Sequence, residues 1–339
     1  MAVSNLPQRK TIFNDRAKRN EAISAYMFLA PYLVVTLVFT VGVIVYAFYL
    51  SFTDFNLFET PVWNDFAHYR SLFQDKKFGR SLVNVFYYVI IVVTLQTILA
   101  LLLAVVLNAP IRFKQFYRTI FYAPSVTSSV VISFIFWWMY LKTGYINYGF
   151  SWVWGLFGAD WEAINWLNDP TGLFQIILDW VTGGEVRIPS NLWYLRGPSI
   201  TWMALMAQNI FTTVPTFMIM FLAALQDVPP SLYEAASIDG ANKRQQFFRV
   251  TVPMLRPIIL LVVVLGTIGS WQIFDQVAIL TAGAPLDTTL VPVYFIYSEG
   301  FGINGPPRMG YASQRAMVLA LIILTFTFVQ KRYIEGSED

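Results

Sequence analysis

The chain has 339 residues, of which 56% are hydrophobic, 17% are aromatic and only 13% are charged, and its mean hydropathy is +0.54. A soluble domain normally carries about 25% charged residues, so this composition excludes an ordinary soluble domain. The formal net charge is +3 and cysteine is absent, which excludes disulfides and thiolate metal sites.

Six runs without a charged residue predict six membrane-spanning helices. A helix needs about 20 apolar residues to cross a bilayer. In chain order the runs cover residues 25–52, 81–111, 119–141, 197–226, 257–274 and 316–330. The last run has only 15 residues, so we expect residues 310–314 to extend it while Arg315 reaches toward the membrane interface. The sequence therefore predicts an all-α integral membrane protein with one transmembrane domain over residues 25–331.

The distribution of basic residues predicts how the spans are oriented. With six spans both termini lie on one side, and that side holds 14 of the 23 lysines and arginines. Because positive charge is retained in the cytoplasm, we expect cytoplasmic segments at residues 1–24, about 227–256 and 332–339. External loops are then expected at about 53–80, 142–196 and 282–312. The single histidine, His68, falls in the first of these loops, where we expect a solvated side chain.

Tryptophan is concentrated in one part of the chain. Nine of the 11 tryptophans lie between residues 137 and 202, around the second external loop. An aromatic belt at the membrane surface explains this concentration, because the indole ring is amphipathic. The alternative interpretation is that some of these rings stack on a sugar or contact a docked partner.

A charged segment at residues 232–257 interrupts the apolar sequence. Ser231 and Glu234 have the spacing of a capping box at the start of a helix. Gly240 fits a helix end or a sharp turn, and residues 241–250 fit a second short helix. The segment is therefore predicted to form a helix–turn–helix elbow that protrudes from the membrane domain.

The same segment resembles the EAA loop of binding-protein-dependent ABC importer permeases. The stretch "EAASIDGANKRQQFFRVTVP" matches the family pattern at Glu234, Ala235, Ala236, Asp239, Gly240, Ala241, Phe247 and Pro253. Residues 28–58 and 274–301 are similar to the carbohydrate branch of this family, which contains maltose-transporter-like sugar permeases. Two departures lie outside the elbow: Ala284 replaces the second glycine of the usual GGP, and residues 171–195 look longer than is usual.

The resemblance implies a fold, a set of partners and a location. The fold is the type I ABC importer architecture, with both termini cytoplasmic, in the inner membrane of a bacterium. A second permease subunit completes the pathway, two ATPase subunits bind ATP and contact the matching elbow residues, and an external binding protein delivers a sugar. The chain contains no Gly-Lys dipeptide and hence no Walker A loop. We therefore expect no enzymatic activity, no catalytic or metal site and no cofactor in this chain, and no nucleic-acid partner.

The uncharged spans indicate a neutral substrate. Amides hydrogen-bond to hydroxyl groups, and aromatic faces stack on sugar C–H surfaces. The candidate residues for the substrate pathway are Gln208, Asn209, Trp271, Gln272, Asp275, Tyr294 and Tyr297. For Asp275 we favour the alternative interpretation, an interfacial residue at the external end of the fifth span, over contact with the sugar.

The alternative function is an ion- or proton-coupled carrier for a neutral solute. Such carriers keep ionisable groups near the middle of the bilayer. The predicted spans contain almost none, which favours the importer.

Overall fold

The computed structural model describes residues 16–110 and 112–335. Most of the predicted N-terminal cytoplasmic segment, the predicted end of the second span at Ile111 and the end of the predicted tail lie outside the described residues. Within them the secondary structure is helical apart from one short hairpin, in which β1 (Thr53–Asp54) pairs antiparallel with β2 (Val62–Trp63).

The first half of the described chain contains eight α-helices, one π-helical segment and one 3₁₀ turn. In chain order these are α1 (Arg16–Val35), a π-helical segment (Thr36–Gly42), α2 (Val43–Leu50), α3 (Ala67–Ser71), a 3₁₀ turn (Leu72–Gln74), α4 (Lys76–Asn108), α5 (Lys114–Val126), α6 (Ser129–Met139), α7 (Tyr145–Leu156) and α8 (Leu173–Thr182).

The second half contains eight more helices, three of them in the predicted elbow. In chain order the elements are a 3₁₀ segment (Ser190–Arg196), α9 (Ile200–Asp227), α10 (Pro230–Ile238), α11 (Lys243–Gln246), a π-helical turn (Phe247–Thr251), α12 (Val252–Met254), α13 (Arg256–Trp271), α14 (Asp275–Leu280), α15 (Pro292–Phe301) and α16 (Met309–Glu335).

Five helical stretches are long and apolar enough to cross a membrane: Arg19–Leu50, Lys76–Asn108, Ile200–Asp227, Arg256–Leu280 and Met309–Arg332. The remaining predicted span, the third in chain order (residues 119–141), is a pair of helices, α5 and α6, bent by 96° at a short break. Thr127 at the break has extended backbone, with φ −81° and ψ 142°. Pro124 in the last turn of α5 has no N–H to donate. Both features interrupt the helix at a place where the composition alone showed a continuous apolar run.

The bent pair nevertheless connects the two ends of the bundle. The Arg118 Nη2 atom lies 3.5 Å from the carbonyl oxygen of Leu107, near the end of α4. The Tyr140 hydroxyl, directly after α6, donates to the carbonyl of Ala204 near the start of α9. Helices α4 and α9 run parallel, because Trp202 Nε1 donates to the Asn84 carbonyl and, further along both helices, the Thr213 hydroxyl donates to Gln96 Oε1. The α5–α6 pair therefore returns the chain across the bundle. The six predicted passes are therefore present.

The core of the protein forms where α4, α9 and α13 pack together. Helices in a membrane associate through close packing and polar contacts rather than through the hydrophobic effect. Tyr88 and Trp202 are fully buried with ring centroids 4.8 Å apart. Deeper in the bundle the Thr213 hydroxyl donates to Gln96 Oε1 over 2.8 Å. A Cβ at Gly266 would lie 2.3 Å from Gln96 Nε2, so glycine permits the close approach of α13 to α4.

Arg315 does not reach the interface as the sequence predicts. Its side chain is 0% exposed, and Nη2 pairs with Asp75 Oδ2 at 3.1 Å. The guanidinium also lies over the Tyr311 ring and donates to the carbonyl of His68. The first loop, folding onto the start of α16, provides these partners, and a buried cation with a carboxylate partner has no need to extend toward water.

His68 is likewise less solvated than expected. Its side chain is 13% exposed, and its Nε2 lies 3.0 Å from Asp54 Oδ1 and 3.2 Å from the carbonyl oxygen of Thr53. Burial lowers the pKa of His68, with the Asp54 carboxylate acting in the opposite direction. The hairpin and α3 therefore pack on α16 as an ordered cap.

The connections at residues 51–75, 140–199 and 281–308 are joined to one another at one end of the bundle, which we call the long-loop face. Gly310 donates to the carbonyl of Phe55, and the Tyr87 hydroxyl donates to that of Tyr194. Ser199 and Thr288 hydrogen-bond over 3.1 Å. Residues 230–254, the elbow, lie at the other end of the bundle, between the end of α9 and the start of α13.

Candidate functional site

A polar cavity lies where α9 passes the break between α5 and α6. Its volume is about 310 Å³, and among the residues that the structure describes no charged one lines it. On the α9 side it is lined by Gln208, Asn209, Thr212, Thr213 and Thr216, which recur at helical spacing on one face. The opposite wall also supplies hydroxyl groups. The helix is interrupted at residues 127 and 128, and the side chains of Ser125, Thr127 and Ser129 on this interruption line the cavity.

The other lining residues are Pro124, Ser125, Thr127, Ser129, Ile132, Phe217 and Gln276. Gln208 and Asn209 were predicted from the sequence, whereas the hydroxyl groups of the lining were not. The signal for α9 was available in the recurrence of polar residues every three or four positions within an apolar run. The signal for the opposite wall was Pro124, which marks the break.

The hydrogen bonds of Gln208 leave one polar atom without a partner. Its Nε2 donates to the Ser133 hydroxyl over 2.9 Å. Its Oε1 is buried and accepts no hydrogen bond from any residue that the structure describes. A buried amide oxygen is costly to leave unsatisfied, so this atom is suited to accept a hydrogen bond from a hydroxylated ligand in the cavity.

The structure places the other five predicted pathway residues elsewhere. Trp271 is buried in the core against Phe326, and Gln272 and Asp275 are exposed near the start of α14. Tyr294 is buried and Tyr297 is 40% exposed on α15. None of the five lines the cavity, so their participation in a pathway remains a prediction.

Phe274 joins the two tyrosines of α15 in an aromatic group. Its ring centroid lies 5.1 Å from that of Tyr297 and 6.2 Å from that of Tyr294. Phe274 directly precedes Asp275, the first residue of α14, and α14 packs against α6. These residues are thus close to one wall of the cavity without lining it.

The elbow is a rigid pair of short helices with the turn predicted at Gly240. Gly240 has φ +79°, its N–H donates to the carbonyl of Ser237, and the N–H of Ala241 donates to that of Ala236. This is the hydrogen-bond pattern of a Schellman motif, which favours glycine at the left-handed position. A Cβ at Gly240 would meet nothing within 4 Å in this chain, so the turn is open to an approaching partner.

The predicted capping box at Ser231 and Glu234 is wrong. Helix α10 begins at Pro230, two residues before the expected start at Leu232, and has no side-chain cap. Proline at the first helical position supplies the required φ and has no N–H to satisfy. A capping box does occur at the second helix, where Asn242 and Gln245 exchange side-chain-to-backbone hydrogen bonds of 2.9 and 2.8 Å.

Two buried contacts connect the helices of the elbow. Gln246, 5% exposed, donates from Nε2 to the Ser237 hydroxyl, and the hydroxyls of Tyr233 and Thr251 hydrogen-bond over 3.0 Å. Directly after α12, Leu255 is buried in the core formed by α4, α9 and α13. These contacts and Leu255 thus attach the elbow to the bundle.

Five of the eight residues of the EAA-like pattern are exposed on the surface of the elbow. Ala236, Ala241 and Phe247 are half-buried, and the exposed members are Glu234, Ala235, Asp239, Gly240 and Pro253. Next to them Ile238 is 87% exposed, an apolar residue that the sequence analysis did not single out. A surface that combines small residues with an exposed isoleucine and a carboxylate suits close contact with another protein.

Comparison with known proteins gives a family match and relatives along nearly the whole chain. A family model described as "Binding-protein-dependent transport system inner membrane component" matches residues 96–334. The probable ABC transporter permease protein YesP of Bacillus subtilis (strain 168) is 32% identical over 318 residues, covering 93% of this chain and 91% of the relative. The lactose transport system permease protein LacF of Rhizobium radiobacter is 29% identical over 324 residues, covering 94% and 97%.

A solved structure shares the fold. It is the crystal structure of a bacterial alginate ABC transporter in complex with an alginate pentasaccharide-bound periplasmic protein. One of its chains superposes with a TM-score of 0.70 at 21% identity, covering 92% of this chain and 93% of that chain. At this identity the comparison shows the shared architecture alone.

Proposed function

The chain belongs to the family of binding-protein-dependent transport system inner membrane components, and we propose that it forms half of the pathway of an ATP-driven importer for a neutral oligosaccharide or glycoside. It is a carbohydrate-type ABC importer permease, since its relatives include sugar permeases along their full length. The family favours this function over an ion-coupled carrier. The uncharged, hydroxyl-lined cavity between α9 and the α5–α6 break is the observation that supports a neutral substrate.

The lining of the cavity matches a polyhydroxylated ligand. Hydroxyl and amide groups both donate and accept hydrogen bonds, as sugar hydroxyls do. A carboxylated sugar requires a cationic partner once it leaves water, and no lining residue is cationic. The structurally similar transporter carries alginate, an acidic polysaccharide, so an acidic oligosaccharide is the rival substrate class for the transport assay.

Three kinds of partner complete the proposed importer. A second permease subunit provides the other half of the pathway, and the exposed α1–α2 span, of which only 6% is buried, offers apolar surface for lipid or for that subunit. An extracytoplasmic sugar-binding protein delivers the substrate, as a periplasmic protein is bound in the similar transporter. We assign ATP binding to two separate ATPase subunits.

The proposed orientation follows from charge. Arg and Lys concentrate at the elbow end of the bundle, and positive charge is retained in the cytoplasm. The elbow then faces the ATPases, and the long-loop face lies outside a bacterial inner membrane. The exposed Gly240 turn and the ties through Gln246 and Tyr233 support a coupling role for the elbow.

The substrate test uses two cavity variants, Asn209→Leu and Thr212→Val. Each removes one hydrogen-bonding group of about 1 kcal/mol, which corresponds to about a fivefold higher KM for uptake of a labelled neutral disaccharide. Thr325→Val is the matched control, because Thr325 is exposed on α16 and bonds only to the carbonyl of Leu321. ATP hydrolysis without substrate stays unchanged in all three variants.

Two outcomes contradict the proposal. Wild-type KM in both cavity variants means that the substrate passes elsewhere. If an acidic oligosaccharide is taken up as fast as every neutral sugar tested, the uncharged lining does not select neutral over acidic substrates.

A further inference from the structure

A second cavity, of about 400 Å³, lies at the long-loop face and shares no lining residue with the first. We propose that it is a socket for a carboxylate side chain of the extracytoplasmic binding protein. The inference rests on the proposed function insofar as that function supplies the partner and places this face outside.

Residues 170–197, which contain α8 and the stretch 171–195 that the sequence marks as unusually long, supply most of the lining of the socket. This segment is clamped at its ends by the bonds from Leu173 N to the Pro198 carbonyl and from Ile200 N to the Thr171 carbonyl, both 2.9 Å. A Cβ at Gly172 would lie 2.2 Å from the carbonyl oxygen of Arg196, so glycine is required for this close approach. The segment is thus held in one shape against the start of α4.

Hydrogen bonds inside the segment fix the wall of the cavity. Gln175 accepts from the N–H of Ile188 through Oε1 and donates through Nε2 to Asp179 Oδ1. Arg196 Nη2 donates to the carbonyl of Ile188 over 2.8 Å. All of these hydrogen bonds lie within this chain, so the socket is formed before any partner binds.

The charges of the socket are unbalanced. Arg80, Arg187 and Arg196 line it together with a single acid, Asp179. Within residues 16–110 and 112–335, no carboxylate oxygen lies within 4.0 Å of the three guanidinium groups. Elsewhere on this face Arg308 and Arg315 do pair with carboxylates, those of Glu299 and Asp75.

Two of the guanidinium groups are also pre-positioned. Arg80 lies over the ring of Trp193, with its Cζ 4.8 Å from the ring centroid. The Nε atoms of Arg80 and Arg196 are buried and bond to no residue that the structure describes. A planar guanidinium binds a carboxylate through two parallel hydrogen bonds, and stacking on an indole holds the plane in place. Unused buried donors beside unmatched positive charge indicate an anionic occupant.

The position of the socket identifies the source of the carboxylate. A carboxylated cargo held here would next enter a pathway cavity with no cationic lining residue. A carboxylate on the binding protein, by contrast, remains at the surface and only has to dock. Pairing acidic with basic groups at a docking surface chiefly sets which partner binds and how fast it associates.

The test measures ATP hydrolysis by the complete transporter in lipid nanodiscs as a function of the concentration of the binding protein that stimulates the wild type. Arg80→Gln and Arg196→Gln are each expected to raise the half-stimulating concentration at least tenfold, with unchanged hydrolysis at saturation. Arg187→Gln, at an exposed position, gives a smaller increase and keeps the test available if the half-buried variants fold poorly. Arg70→Gln is the control, because Arg70 is an exposed arginine of the same face outside the socket.

The outcomes separate this inference from the proposed function. Wild-type half-stimulating concentrations in all three socket variants overturn the socket. A loss that occurs only with an acidic oligosaccharide as cargo also overturns it, since the carboxylate then comes from the cargo. If no binding protein stimulates the wild type, the proposed function itself fails.

Discussion

The buried pair between Asp75 and Arg315 attaches the first loop to the last span, and we expect its disruption to be among the most destabilising single changes in the protein. Asp75 has two further roles: it accepts the N–H of Phe78 as the N-cap of α4 and a hydrogen bond from the Tyr311 hydroxyl. Asp75→Ala leaves the fully buried Arg315 without its counter-charge, which costs about 3–5 kcal/mol. It also removes the cap, which costs about 1 kcal/mol. The expected total is about 4–6 kcal/mol.

A double-mutant cycle isolates the charge contribution. Asp75→Ser keeps a capping hydroxyl but strands Arg315, and Arg315→Met strands Asp75. The double variant has no stranded charge, so we expect it to be more stable than either single variant, because apolar replacement of a buried pair is often neutral. Arg308→Met is the control: Arg308 pairs with Glu299 at 3.4 Å with its side chain 51% exposed, and such a pair contributes less than about 1 kcal/mol.

The assay is thermal unfolding of the purified protein in detergent, followed by tryptophan fluorescence. At roughly 2–4 °C per kcal/mol, the single variants should unfold about 10 °C or more below the wild type, and the control within a few degrees. Destabilisation by the two single changes that simply adds in the double variant would refute the reasoning, because it would mean that the charges do not interact.

Three further predictions concern pH, coupling and topology. Burial lowers the pKa of His68, so as the pH falls the unfolded chain takes up a proton, at about pH 6.5, before the folded chain does. Thermal stability should therefore fall as the pH drops below about 6.5, and it should fall less in His68→Gln. Equal pH profiles of wild type and variant would contradict this. Gly240→Val, which adds about 1 kcal/mol of backbone strain or more at φ +79°, should uncouple ATP hydrolysis at normal abundance. Gly183→Val, with equal strain at φ +67° and nothing within 4 Å of an added Cβ, should not, and equal transport by both variants would remove the coupling role of the elbow. A cysteine at Lys243 should resist impermeant thiol reagents in intact cells and one at Lys76 should react; the reverse pattern would invert the proposed topology.

The number and the approximate places of the spans could be predicted because uncharged length alone determines whether a segment can cross a bilayer. Even so, α4 begins at Lys76, five residues before the uncharged run at 81–111. The helix starts there because Asp75 caps it, and a hydropathy profile does not detect a helix cap. The break within the third span was equally invisible to a count of charges, since Thr127 and Ser128 are uncharged.

Predictions that depended on a single residue's partner were less reliable. Ser231 and Glu234 have the spacing of a capping box, but the helix starts at Pro230, two residues before the expected start at Leu232, so neither residue lies at its predicted cap position. Arg315 was expected at the interface because its partner, Asp75, lies 240 positions away in sequence. Gln208 and Asn209 could be selected by residue type, whereas the hydroxyl groups opposite them needed the fold.

The arrangement of the elbow between α9 and α13 explains how one contact could control the cavity. Helix α9 carries Gln208 and Asn209 and ends at Asp227, just before α10 begins at Pro230. On the other side, Leu255 anchors the elbow in the core that α9 shares with α4 and α13. Force applied to α10 therefore acts on α9 from both ends of the elbow. The opposite wall of the cavity is formed by α5 and α6 at their helix break, which is not part of the elbow. In the proposed mechanism, ATPase closure moves the polar face of α9 relative to the α5–α6 break, and this movement opens or closes the cavity.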